Sequence, residues 1–152
     1  MTMKAYLLAF LFLPALAGGM PFPGGTPGGG SVPAAVELPS ESPGEIFSLV
    51  EAGLRQSDLS SVSKLFGREV FVSLKGGESG YHSANQAYLI VQSFLHARRP
   101  VRFTFTTRQE GSEAFATGSG VFLSKGARET LQVYVAVVRQ SGRWVISQFN
   151  VY

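Results

Sequence analysis

Apolar residues along this chain follow one spacing before residue 100 and another after it. In the first part the spacing is helical. Ile46, Phe47, Val50 and Leu54 share one helix face behind Ser42-Pro43-Gly44-Glu45, a capping box with proline at the first helical position. A first helix is expected from about Pro43 to Leu54. Asp58 as N-cap, Leu59, Val62, Leu65 and Phe66 on one side, and Gly67 as terminator predict a second, shorter helix. Glu69 to Leu74 alternates as a strand does, and the glycines of the Lys75 to Gly80 loop supply a turn. Ser83 with Gln86 is another capping box, opening a helix whose Ala87, Ile90, Val91, Phe94 and Leu95 make one stripe that Pro100 ends.

Beyond Pro100 the period becomes two. Strands are expected at Val101 to Thr107, Ala114 to Leu123, Thr130 to Arg139 and Trp144 to Val151, joined through Gly111-Ser112, Lys125-Gly126 and Ser141-Gly142. Links this short make antiparallel hairpins, because a parallel return needs a crossover. The fold class is therefore α+β: three N-terminal helices on the concave face of a strongly bent antiparallel sheet, in the order α-α-β-α-β-β-β-β. Two strands have apolar residues on both sides. Leu131, Val133, Val135 and Val137 face one way, and Tyr134, Ala136 and Val138 the other. In the last strand Trp144 and Ile146 share one side while Phe149 and Val151 share the other. Either a bulge near Ser147 restores a single buried face, or the outer face is covered too, most cheaply by a second copy of the chain.

Composition adds a compartment. Lys4, the apolar run from Ala5 to Leu13, and Ala15-Leu16-Ala17 have the layout of a cleaved secretory signal over residues 1–17. The run is too short to span a bilayer and Pro14 interrupts it, so no membrane span is expected after cleavage. Export to the periplasm or the extracellular space follows. Residues 18–41, with PFPGGTPGGG at their centre, read as a flexible Gly/Pro-rich linker, and 42–152 as the folded domain. GTPGGG lacks the Lys-Ser/Thr pair of a phosphate-binding loop. There is no cysteine, which excludes disulfides, thiolate catalysis and a lipid-modified cysteine. The net charge is only +3, with Lys4 among the positive residues, so a nucleic-acid partner is not expected. The cluster Arg98, Arg99 and Arg102 reads as cations offsetting the dipole of the helix that ends there.

The element order, with the segment from Ile46 to Phe66, EVFVSL, Gly80-Tyr81-His82-Ser83 before Gln86-Ala87, Phe94, the Gly118 to Gly120 strand and Gly142-Arg143-Trp144-Val145-Ile146, resembles the cone-shaped nuclear transport factor 2-like (NTF2-like) superfamily. Within it, the patterns resemble an exported family of domains of unknown function from Bacteroidetes-type bacteria. The resemblance covers nearly all of the chain after Pro43. It implies a cone with an apolar pocket between helices and sheet, and often a dimer through the outer sheet face. It implies no activity, since the superfamily holds isomerases, dehydratases and plain binding domains.

The chemistry in the sequence is sparse. An isomerase or lyase resembling the ketosteroid isomerase branch needs an acidic base and a hydrogen-bond donor in the cone. Glu69 or His82 would be the base and Tyr81 or Tyr88 the donor. Asp58, the only aspartate, reads as a helix cap. His82 and His96, with no cysteine, make no metal site, and no nucleophile elbow is present. His96 reads as a partner of its own helix end. Neither metal nor cofactor is expected. Tyr81, His82, Tyr88, Phe94, Phe103 and Phe105 are the candidates to line an apolar pocket, with the plainer alternative that these aromatics form the core of a small domain. The leading expectation is a non-enzymatic exported domain that binds a small apolar ligand or an envelope protein. The alternatives are an isomerase of the steroid type and a structural homodimer.

Overall fold

A computed structural model describes residues 42–152 together with Gly24. The expected signal and almost all of the linker lie outside the described residues. Helix α1 (Pro43–Gln56) begins at the expected box: the Ser42 hydroxyl accepts from Glu45 N–H, and the Glu45 carboxylate accepts from Ser42 N–H at 2.8 Å. It ends at Ser57, left-handed at φ 56°, whose N–H is donated back to the last turn. The second helix is a 3-10 segment, Ser60–Leu65, rather than an α-helix. Its N-cap is Leu59 rather than Asp58, although the Asp58 carboxylate, one residue earlier, accepts from Ser60 N–H at 2.8 Å. However, Phe66 and Gly67 already belong to the next strand, which leaves too few residues for further helical turns.

Strand β1 (Phe66–Leu74) turns back through Lys75–Glu78 into a strand that the sequence analysis leaves as loop and junction, β2 (Ser79–Ser83). Helix α2 (Ala84–Ala97) follows with the Ser83–Gln86 box in place. The meander β3 (Arg99–Gln109), β4 (Ala114–Ser124), β5 (Ala127–Gln140) and β6 (Arg143–Val151) completes the chain. The sheet order is β2-β1-β6-β5-β4-β3. All neighbours are antiparallel except β1 and β6, which run parallel, so the sheet is mixed, not purely antiparallel as expected. Short links fix the direction of β3 through β6. Nothing local fixes β1 against β6, because α2 and four strands separate them in sequence.

The two-sided pattern of β6 is a bulge. Ala136 pairs with Gln148 while Val137 pairs with Ile146, leaving Ser147 as the extra residue. Trp144 and Ile146 on one side of it, and Phe149 and Val151 on the other, thereby all turn toward the helices.

Bending is strongest at β3. Val101 and Thr106 are extra residues opposite β4, two bulges within one strand. Facing them, β4 carries Gly118 and Gly120 on its inner side, between Ala116 and Phe122. A side chain at Gly118 would run into the Thr104 carbonyl and lie 2.7 Å from Phe105 Cα. The missing side chains let β3 fold over the inner face, where Phe103 meets Phe105 edge-on at 4.9 Å and Phe105 meets Phe47 of α1 at 6.2 Å. Ile46, Phe47, Val50 and Leu54 of α1, together with Ala87, Val91 and Leu95 of α2, close the core over Phe122, Leu131, Val135 and Phe149. Gly118→Ala is expected to cost about 2–3 kcal/mol through the forced backbone shift, read as a lower urea midpoint. The exposed neighbour Ser119→Ala stays within about 0.5 kcal/mol of the parent.

Candidate functional site

The six pocket candidates do not meet in one cavity. Tyr81 stands on the outer side of β2, 69% exposed, edge-on to Phe71 at 5.1 Å. One residue on, His82 turns to the opposite side, opposite buried Val70, with Nε2 shut off from solvent and without a hydrogen-bond partner among the described residues. Tyr88 is half-buried on α2 and packs edge-on against Phe66 at 6.2 Å. Phe103 and Phe105 are core residues. Phe94 lines a hollow beside α2, and Phe103 borders a separate one at β3 and β4. A groove of about 400 Å³ runs between α2 and the β1–β2 turn, walled by Leu74, Gly77, Leu89, Ile90 and Phe94. Leu89 is 51% exposed there, and the Arg98 guanidinium lies 4.8 Å from the centre of the Phe94 ring.

The acid-base candidates separate as well. Glu69 is exposed and pairs with Ser83 on the outer side of the β1–β2 hairpin, away from the helices. His96 stands in the last turn of α2, as expected, with its Nε2 3.0 Å from the Gln92 amide nitrogen. Among the described residues, no group of three potential ligands is placed to hold a metal ion.

Two polar clusters escaped the sequence reading. Gln92 of α2 accepts from Leu59 N–H and donates to Ser57 O, both at 2.9 Å, tying the chain after α1 to α2. Glu51 and Arg55, one turn apart on α1, serve the free edge of β3. The Glu51 carboxylate accepts from Phe105 N–H at 2.9 Å, and Arg55 Nε donates to Phe103 O at 2.8 Å. Glu51 also pairs with Arg55 at 2.8 Å and Arg108 at 3.0 Å. The i,i+4 spacing of Glu51 and Arg55 is visible in sequence, but a strand edge as their partner is not. Burial works against the charged Glu51. The Phe105 N–H, the Arg108 hydrogen bond and the charges of Arg55 and Arg108 together outweigh it and hold the carboxyl below its ordinary range. With both oxygens engaged, this carboxylate is a structural clamp.

The arginines after α2 are also placed differently from expectation. Arg98 is the C-cap of α2 and donates to the Lys75 carbonyl, whereas Arg99 and Arg102 lie on β3. Pro100, which stops the helix, is what puts them there.

Helices packed on one side of a bent six-stranded sheet define an NTF2-like α+β domain. In structure the chain is similar to an NTF2-type protein with a long sheet, at TM-score 0.58 and 15% identity over 73% of this chain and 100% of the other. It is similar to a DUF4783 family protein from Bacteroides uniformis, at TM-score 0.61 and 13% identity over 68% and 93% of the two chains. A DUF4783 family protein from Bacteroides ovatus gives TM-score 0.58 and 16% identity over 67% and 89%. No curated protein matches in sequence. The family described as domain of unknown function DUF4783 matches residues 47–151, and the chain belongs to it.

The clamp has a pH signature. A carboxyl whose pKa is lowered in the folded state contributes stability above its unfolded pKa and loses it as pH falls through the folded one. Glu51→Gln is expected to lower unfolding free energy by about 1–3 kcal/mol at pH 7. The difference from the parent shrinks as the solution is acidified below the ordinary glutamate range, measured by urea titration at stepped pH.

Proposed function

We propose that this is an exported, non-catalytic binding domain that takes up a small apolar molecule in the groove between α2 and the β1–β2 turn. The observation carrying this reading is the contrast between a filled cone and an open apolar groove. Phe47, Phe103, Phe105, Phe122 and Phe149 are buried together between the helices and the sheet. The groove, in contrast, presents Leu89 and Ile90 to solvent in a volume of about 400 Å³, within the range of small-molecule sites. An isomerase of the steroid type draws little support: Glu69 and Tyr81 stand on the outer side, leaving His82 and the half-buried Tyr88 as the inward members of the candidate set.

Self-association through the outer sheet face is the second reading. It is favoured by the stacked pair Phe115–Tyr134 at 5.7 Å and by Asn150 beside it, whose Oδ1 is buried and unpartnered among the described residues.

Export rests on residues 1–17, and it predicts a mature chain starting at Gly18 when the full-length protein is expressed in a bacterium with an envelope, read from the N-terminal peptide by mass spectrometry. The groove is tested with the uncharged apolar dye N-phenylnaphthylamine. Saturable fluorescence enhancement is expected, lost in Leu89→Glu and Ile90→Glu, with the thermal midpoint unchanged in Leu89→Glu, whose side chain is exposed. Enhancement that survives both substitutions refutes the groove. Native mass spectrometry of the same protein separates the readings: a monomer carrying extra small mass supports uptake, a bare dimer supports self-association.

A further inference from the structure

We propose that the outer face of the sheet, at the corner formed by β3, β4 and β5, binds a small oxyanion carrying two negative charges, a phosphate monoester or a dicarboxylate, between Arg102 and Arg128. Cross-strand register brings the site together. Arg102 of β3, Val121 of β4 and Thr130 of β5 form one row, and Arg99, Leu123 and Arg128 form the next. The bulge at Val101 puts two consecutive side chains of β3 at this surface, both exposed, ahead of buried Phe103.

Two hollows share the first row. One, of about 330 Å³, is lined by both Arg102 and Arg128, with Val101, Val121 and Thr130. The other, of about 260 Å³, lies toward Ser119 and Thr104. The pair of hollows is thus cationic at its centre, floored by Val121, and edged by the hydroxyls of Ser119 and Thr130. Neither of these two hydroxyls is engaged by another described side chain, whereas Thr104 Oγ1 already donates to Phe103 O and accepts from Arg55.

The charge there is not balanced from within the domain. Glu51 takes up Arg55 and Arg108, and Glu129 takes up Lys75 at 2.8 Å with Arg98 at 3.9 Å. Among the described residues, Arg102 and Arg128 meet no carboxylate within ion-pair distance. Glu129 is the neighbour of Arg128 in sequence, but alternation along β5 sends it to the other side of the sheet, where Lys75 holds it. Two guanidinium groups that cannot deprotonate therefore face one hollow with their repulsion uncompensated, and each offers a planar fork that matches a carboxylate or phosphate edge. A ligand with two charges satisfies both. The one aromatic residue bordering these hollows, Phe103, is buried in the core and offers no exposed face for stacking bases, and volumes of about 260 and 330 Å³ suit a small molecule.

The site is independent of the α2 groove and shares no residue with it. The test is a nitrogen-edited NMR titration of the full chain at low ionic strength with inorganic phosphate and with succinate, against sodium chloride at matched ionic strength. Saturable shifts are expected at Ser119, Val121 and Thr130 and at the Arg102 and Arg128 side chains. Arg102→Gln and Arg128→Gln should each weaken binding about tenfold or more without moving the thermal midpoint. Leu89→Glu should leave it unchanged. Saturation by phosphate alone assigns a phosphate ester, and saturation by succinate alone a dicarboxylate. Shifts that grow linearly, that chloride reproduces, or that persist in both arginine variants overturn the proposal.

Discussion

The architecture depends on one strand being able to leave the plane of its sheet. β3 folds over the inner face because two bulges lengthen it and because Gly118 and Gly120 of β4 lack the side chains that would block it. Once bent, it has an edge strand's usual difficulty, a row of backbone groups with no neighbouring strand. α1 resolves it from the side. Glu51 takes the Phe105 N–H and Arg55 the Phe103 carbonyl, while Phe47 packs on Phe105 between them. Helix and strand are thus fixed to each other by two hydrogen bonds to charged groups and an aromatic contact. The remaining strands can then curve behind β3 without exposing the core.

The same bend explains where open space remains. Drawing β3 inward brings Phe103 and Phe105 against α1 and fills the cone with the protein's own aromatic side chains. In a domain this small, large side chains serve stability first, and a buried Phe contributes roughly 1.5–3 kcal/mol that an empty pocket would forfeit. On the convex side, bulging at Val101 spreads the surface, and there the hollows around Arg102 open. The groove beside α2 has a separate origin, in the β1–β2 turn standing off from Leu89 and Ile90.

Much of this fold was legible in the sequence, for local reasons. Ser42-Pro43-Gly44-Glu45 and Ser83-Gln86 mark helix starts because capping is decided within four residues. The displaced alternation of Trp144, Ile146, Phe149 and Val151 marks the Ser147 bulge because a strand has only one way to keep two out-of-phase pairs on one face. What was not legible is what depends on distant partners. The parallel pairing of β1 with β6 leaves no trace in a link length. The β2 strand is a stretch of Gly, Tyr, His and Ser with no apolar alternation, held by its register to β1. Tyr81, His82, Tyr88, Phe94, Phe103 and Phe105 looked like a pocket lining because aromatic content does not say which side a side chain faces. Likewise the sequence marks the boundary at Pro100, and does not show that β3 already begins at Arg99 and carries Arg102.

A filled NTF2-like cone changes what such a scaffold has to offer. The fold itself is permissive: what it does depends on side chains grafted on it, and when the interior is committed to stability those side chains must stand on its periphery. Peripheral sites have a characteristic electrostatic logic. A charge buried in a cone needs a partner to exist at all, whereas exposed arginines on a sheet face are hydrated and cost little until a ligand displaces the water. Balancing of cations within the domain is therefore informative where it stops. Glu51 and Glu129 between them pair with Lys75, Arg55, Arg98 and Arg108, the cations that hold α1, α2 and the β1–β2 turn in place. Of the arginines outside these ion pairs, Arg102 and Arg128 line one hollow together, and that is the arrangement expected when structure and binding draw on separate sets of charges.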